Sequence, residues 1–99
     1  MPSEMCATSL PDLVLYTRPG CGLCDETRGL LQALLEDRDA RGARIAHLRE
    51  RDIAADPASE RELFDRIPVV ELRGRRLELA TSASRLRRFL DEGLDGVLA

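Results

Sequence analysis

Near the start of the chain, a short run of consecutive apolar residues gives way to a helical repeat of apolar positions. The run predicts a strand over Leu13–Thr17 that is central in its sheet and covered on both faces. Pro19-Gly20 interrupts the strand. Apolar residues then recur at intervals of three and four, which predicts a helix from about Gly22 to about Ala40. Arg41-Gly42 is typical of a helix end. This part of the chain is therefore a strand, a sharp corner and a long helix.

The middle of the chain predicts a second strand and a second helix. Arg44–Ile53 has an imperfect apolar alternation and predicts a strand parallel to the first. Asp56-Pro57 is a helix start, with the aspartate as N-cap and the proline at the first helical position. We expect this helix to end near Arg66, with Leu63 and Phe64 turned inward.

The last part of the chain predicts a hairpin and a third helix. Ile67–Leu72 is an apolar strand, Arg73–Arg75 is a tight turn, and Arg76–Ala80 is the returning strand, with Leu77 and Leu79 on one face. Thr81 or Ser82 caps the final helix. The inner face of that helix consists of apolar residues at helical spacing, namely Leu86, Phe89, Leu90 and Leu94.

The elements follow the order β-α-β-α-β-β-α. A right-handed crossover makes the first two strands parallel, and the hairpin completes a four-stranded mixed sheet with helices on both faces. The predicted fold class is therefore α/β. Within the helices, Gly29 is expected to mark close packing on the sheet, and Gly93 is expected to loosen the end of the last helix.

Length and charge narrow the class of protein further. The 99 residues suffice for one domain, expected at 12–99, behind a disordered lead-in at 1–11. A net charge of −3 argues against nucleic acid as the main partner. No apolar run approaches the ~20 residues of a membrane span, and the N-terminal residues do not resemble a signal peptide. We therefore expect a cytoplasmic protein without a membrane or nucleic-acid partner.

Two cysteines, Cys21 and Cys24, lie at the predicted corner between the first strand and the first helix. Cys21 falls in the first helical turn, where unpaired N–H groups and the helix dipole favour an anion and should lower the pKa of its thiol. Cys24 lies one turn further on the same face, within reach of a small disulfide ring. A C-x-x-C pair that opens a helix in a β-α-β unit predicts thiol–disulfide redox chemistry.

Other candidate groups offer weaker chemistry. Zinc normally takes four ligands, and beyond the pair the chain has only Cys6 and His47, so no metal site is predicted. Cys6 is expected to be a free exposed thiol, and His47 a surface residue of the second strand. Arg73, Arg75 and Arg76 are expected to be solvated, with the steering of an acidic partner as the alternative.

The element order and the stretches Tyr16–Cys21 and Ile67–Val69 resemble the glutaredoxin-like proteins of the thioredoxin-fold superfamily. The resemblance covers roughly residues 12–95. It implies that Cys21 is the catalytic nucleophile and that Cys24 resolves the mixed disulfide.

The resemblance also implies a substrate-binding surface. Pro68 is expected to be cis and to face the cysteines, which leaves the backbone of Ile67 free to pair with a substrate strand. Arg18 matches a basic position that the family uses near a glutathione carboxylate. Thr81 and Ser82 place hydroxyls at a helix start, where they are the remaining candidates for binding a carboxylate.

The chain departs from the family at two places. Gly22-Leu23 replaces Pro-Tyr between the cysteines, and Glu78–Ser82 lacks a glycine pair. We therefore expect no tightly bound cofactor, and glutathione as a weak co-substrate at most. The predicted function is the reduction of protein or small-molecule disulfides, with glutathione or a reductase as electron donor. The alternatives are a thioredoxin-like binding module without turnover and a glutathione-dependent iron–sulfur carrier.

Overall fold

The computed structural model describes residues 10–96, which form a four-stranded sheet and three α-helices. The strands are β1 (Asp12–Thr17), β2 (His47–Asp52), β3 (Val69–Leu72) and β4 (Arg75–Leu77). The helices are α1 (Gly22–Ala40), α2 (Pro57–Leu63) and α3 (Ala83–Asp95), and a 3₁₀ helix, Ile53–Ala55, joins β2 to α2. Cys6 and most of the expected lead-in lie outside the described residues.

The sheet has the predicted mixed topology. Its strands lie in the order β2-β1-β3-β4. β1 runs parallel to β2 and antiparallel to β3, and β3 runs antiparallel to β4. The prediction that the first apolar run forms an inner strand is therefore confirmed, and so is the α/β fold class.

Each face of the sheet has its own core, because successive side chains of a strand point to opposite faces. Leu13 and Leu15 are fully buried on the face that α1 and α3 cover. Tyr16 lies on the other face, against a smaller core of Ile53, Leu63 and Val69. The larger core contains the predicted inner face of α3, namely Leu86, Phe89, Leu90 and Leu94. Helices thus cover both faces, as predicted.

Two residues that were predicted to face inward are instead on the surface. Phe64 is 55% exposed, whereas its neighbour Leu63 is buried. Helix α2 ends at Leu63, so only one of these two adjacent residues can point at the sheet. Leu79 is 54% exposed because β4 ends at Leu77 and the chain then leaves the strand path.

β2, β3 and β4 are shorter than the pattern predicts, and local turns explain where β2 ends and where β4 begins. β2 stops at Asp52 because its side chain accepts a hydrogen bond of 2.9 Å from the Ala54 N–H and caps the 3₁₀ helix. In the hairpin, Arg73 and Gly74 both have positive φ, 53° and 82°, as a type I′ turn requires. β4 therefore begins at Arg75.

Gly29 and Gly93 have roles opposite to those predicted. Gly29 is exposed, and a Cβ added there would meet nothing within 4 Å. Gly93 is buried, and a Cβ there would lie 2.5 Å from Leu72 Cδ2 and 3.2 Å from its Cγ. The close approach between helix and sheet therefore occurs at α3, where glycine is needed for space.

A buried arginine joins α1 to α3. Arg38 is 3% exposed and donates hydrogen bonds to Asp91 Oδ1, at 2.6 Å, and to Asp95. Its Nε donates to the Arg44 carbonyl at 2.5 Å. The two carboxylates pair with the buried guanidinium, and this attraction offsets the cost of removing its charge from water.

Candidate active site

The two cysteines form a disulfide at the N-terminus of α1. Cys21 is the N-cap residue, and the N–H of Cys24 donates to its Sγ at 3.1 Å. Cys21 is half-buried, whereas Cys24 is 1% exposed. The pair is therefore asymmetric, because solvent reaches Cys21 and a helix N–H points at its sulfur.

The corner before the cysteines is shaped by a glycine in the left-handed region. Gly20 has a φ angle of +77°, which residues other than glycine adopt only with strain. It turns the chain between the end of β1, at Thr17, and the helix cap at Cys21. Arg18 lies in this exposed corner, three residues before Cys21. Its guanidinium makes no ion pair within the described part of the chain.

The loop that contains Ile67 and Pro68 is hydrogen-bonded to the segment that precedes α3. The Ile67–Pro68 peptide bond is cis, as predicted, and Pro68 is buried. Its carbonyl accepts a hydrogen bond of 2.8 Å from the Ala80 N–H. The Ile67 N–H donates to the Leu63 carbonyl at 3.1 Å. The prediction that the whole Ile67 backbone is free is therefore wrong, because the last turn of α2 already binds its N–H.

Thr27 connects this loop region to the cysteine helix, and the sequence analysis missed that role. Its hydroxyl donates to the Ala80 carbonyl at 2.7 Å, and both residues are fully buried. Ala80 is thus bonded on one side to Pro68 and on the other to α1, one turn beyond Cys24. The signal was present in the sequence, since a buried threonine in an apolar repeat must find an acceptor for its hydroxyl.

The segment before α3 ends in a serine cap. Ser82 Oγ accepts a hydrogen bond of 3.3 Å from the Arg85 N–H, which settles the choice between Thr81 and Ser82 as the N-cap. Thr81 is exposed, and its N–H donates to the Leu79 carbonyl at 2.8 Å. Leu79 itself has φ +50°. A leucine thus occupies a left-handed position that glycine would occupy without strain.

Two side chains on either side of the cysteine corner in the chain, Arg28 and Tyr16, have raised pKa values. Arg28 contacts Asp25 at 2.8 Å and Glu50 at 2.5 Å, and these hydrogen bonds raise the pKa of its guanidinium. Burial and a hydrogen bond of 2.7 Å to Glu71 raise the pKa of Tyr16. Tyr16 therefore stays a neutral donor on the face opposite α1.

His47 lies far from the cysteines. It pairs with Asp12 at one end of β1, whereas the corner leads away from Thr17 at the other end. The five steps between them span about 16 Å at the usual rise of a strand. His47 therefore cannot contact Cys21. Within residues 10–96, no three His, Cys, Asp or Glu side chains converge into a potential metal site.

The fold and the cysteine corner define the class of protein, which is the glutaredoxin-like branch of the thioredoxin fold. The chain belongs to the glutaredoxin-like domain family (DUF836), whose pattern matches residues 12–93. No curated protein gives a significant match. None of the described helices is both long and apolar enough to cross a membrane.

Two solved structures are similar to the chain. The X-ray structure of protein XcR50 from X. campestris has 32% identity and a TM-score of 0.64, covering 80% of this chain and 95% of that chain. The solution NMR structure of protein Ne2328 from Nitrosomonas europaea has 25% identity and a TM-score of 0.59, covering 90% and 91%. Both likenesses support the glutaredoxin-like fold.

Proposed function

We propose that the protein is a dithiol–disulfide oxidoreductase in which Cys21 attacks the substrate and Cys24 resolves the intermediate. The asymmetry of the pair is the observation that carries this proposal. Cys21 is accessible and its sulfur already accepts a helix N–H, whereas Cys24 is enclosed. A thiolate at Cys21 would gain the same hydrogen bond and the positive end of the helix dipole.

The proposed reaction balances without a metal or nucleotide. The Cys21 thiolate attacks one sulfur of a substrate disulfide, forms a mixed disulfide and releases the other sulfur as a thiolate. The Cys24 thiolate then attacks the Cys21 sulfur and releases the second substrate thiolate. The substrate gains two electrons and two protons, and Cys21 and Cys24 end as the disulfide. An external thiol donor must reduce that disulfide for the next turnover.

The surroundings of the pair support weak glutathione binding at most. Arg18 and the hydroxyls of Thr81 and Ser82 remain the proposed carboxylate contacts. Leu79 occupies a position where glycine would let a peptide backbone approach closely, and the Ile67 N–H is already bonded. A single exposed arginine–carboxylate pair contributes only about 0–1 kcal/mol.

A turnover assay tests the proposal. The reduced protein, supplied with a regenerating thiol, should reduce a small uncharged disulfide such as bis(2-hydroxyethyl) disulfide. Cys21→Ser should abolish the activity, and Asp39→Asn, an exposed change at the far end of α1, should leave it unchanged. Activity that survives in Cys21→Ser would refute the assignment, and a fully inactive natural protein would favour the binding module.

The choice of electron donor belongs to the same proposal. Glutathione with its reductase and thioredoxin with its reductase should be compared as sources of reducing equivalents in this assay. Given the obstructed approach at Leu79, we expect the thioredoxin system to reduce the oxidised protein faster.

A further inference from the structure

Four arginines line a groove between β4 and α3, at the edge of the sheet, and two of them have no carboxylate partner within residues 10–96. This basic groove has a volume of about 210 Å³ and is lined by Arg75, Arg85, Arg88, Phe89 and Glu92, among others. The chain as a whole carries a net charge of −3. The groove therefore concentrates positive charge on a protein that is acidic overall.

The arginines of the groove differ in whether a carboxylate pairs with them. Arg75 lies over the Phe89 ring, 5.8 Å from its centre, and donates to Glu92 at 2.9 Å. Arg85 and Arg88 are exposed, and neither side chain pairs with a carboxylate among residues 10–96. They lie three positions apart on α3, so their charges repel one another by a few tenths of a kcal/mol. Neither charge is therefore compensated within the described part of the chain.

The groove reaches the first turn of α3, because Arg85 is one of its lining residues. The Ser82 hydroxyl caps α3 by accepting a hydrogen bond from the Arg85 N–H, and Ala80, two residues before Ser82, is bonded to both Pro68 and Thr27. From Arg85 to Glu92 the helix advances about 10 Å, which matches three residues of an extended chain. β4 forms the other wall, and it is the last strand in the sheet order. The space suits a short extended segment rather than a helix.

We propose that the basic groove docks an acidic segment of a partner protein. Carboxylates at alternate positions of such an extended segment lie on one side of it and can pair with Arg85 and Arg88. Guanidinium groups bind carboxylates through paired hydrogen bonds. Glu92 limits the length of the binding site, because it already forms an ion pair with Arg75 and its carboxylate repels a further carboxylate of the partner. Docking of the acidic segment involves no thiol chemistry, so its test does not depend on the proposed redox function.

Binding of labelled peptides to the oxidised protein tests the groove directly. Fluorescence anisotropy should show that a fluorescein-labelled oligoglutamate peptide binds, that its oligoglutamine counterpart does not, and that added salt weakens the binding. Arg88→Glu should weaken it by at least about tenfold, since a like charge then faces the peptide. Arg88→Gln should give a smaller loss.

The matched control is Arg51→Glu, which makes the same change in net charge at β2, the opposite edge of the sheet. It should leave the affinity unchanged within about twofold, because its distance from the groove exceeds the ~10 Å screening length at moderate salt. Thermal melts confirm that each variant is folded. Equal weakening by Arg51→Glu and Arg88→Glu, or equal binding of the two peptides, would overturn the proposal. Tighter binding of a single-stranded oligonucleotide than of oligoglutamate would do so as well.

Discussion

At the scale of single residues, Cys21 and Cys24 differ in access and in hydrogen bonding, although only two residues separate them. Cys21 is half-buried and accepts an N–H at its sulfur, whereas Cys24 lies inside the first turn of α1. The hydrogen bond to Cys21 was predictable from its place at the helix start, where N–H groups have no partner within the helix. The difference in access was not predicted. The acceptor of the Thr27 hydroxyl and the left-handed φ of Leu79 were not predictable, since both depend on tertiary packing.

Alkylation of the reduced protein should therefore distinguish the two thiols. With limiting iodoacetamide at about pH 6–7, Cys21 should be labelled well before Cys24, because only a stabilised and accessible thiolate reacts at that pH. Peptide mass spectrometry gives the ratio of labels. In urea the preference should disappear. Preferential labelling of Cys24 in the folded protein would reverse the proposed roles.

Leu79 provides a second test at this scale. Leu79→Gly should raise the free energy of unfolding by up to about 1 kcal/mol, because glycine adopts φ +50° without a Cβ clash. It should also strengthen glutathione binding to Cys24→Ser protein, as measured by calorimetry. Leu79→Ala is the control, since it removes the bulk and keeps the strained Cβ. A Gly variant no more stable than the Ala variant would show that the backbone is not strained there.

At the scale of elements, the packing between α3 and the sheet depends on one glycine. Gly93→Ala should lower the free energy of unfolding by about 1–3 kcal/mol, because its Cβ would overlap the fully buried Leu72 side chain. Gly29→Ala, on the exposed side of α1, should raise it by about 0.5–1 kcal/mol through helix propensity. Urea unfolding measures both, and the prediction fails if the two changes have the same sign.

The junction of α1 with α3 depends on Arg38. Arg38→Ala should cost about 2–3 kcal/mol in unfolding free energy, since it removes a buried guanidinium together with its bonds to Asp91, Asp95 and Arg44. Arg41→Ala is the matched control one turn away. Its exposed pair with Asp37 should contribute no more than about 0.5 kcal/mol. Similar losses in both variants would contradict the structural role of Arg38.

Helix patterns predicted the elements better than strand patterns did. The bounds of α1 and the inner face of α3 follow from apolar spacing and from caps such as Ser82, which are local signals. β2 ends where the Asp52 side chain caps the following 3₁₀ helix, and β4 begins after the turn in which Arg73 has a positive φ. Apolar patterns do not predict either feature. The apolar pattern did not predict that Arg38 is buried, because a charged residue of a helix usually faces solvent.

At the scale of the whole molecule, the order of elements sufficed to predict the fold. β1 was predicted to be an inner strand, so a strand of the hairpin must pair with its second edge, and in the observed sheet that strand is β3. In this fold, the corner at Cys21 and the segment before α3 both lie at the N-terminal end of α1. The contacts that tune this end, including the engaged N–H of Ile67, could not be predicted because they join residues distant in the chain.

The most direct test of the proposed mechanism is to trap the mixed disulfide. Reduced Cys24→Ser protein, mixed with bis(2-hydroxyethyl) disulfide, should accumulate a covalent adduct at Cys21 that intact-mass spectrometry detects and dithiothreitol removes. Cys21→Ser protein, treated in the same way, should form little adduct at Cys24, because that sulfur is buried. An adduct that forms as fast at Cys24 as at Cys21, or forms at neither, would contradict the central claim that Cys21 is the attacking thiolate.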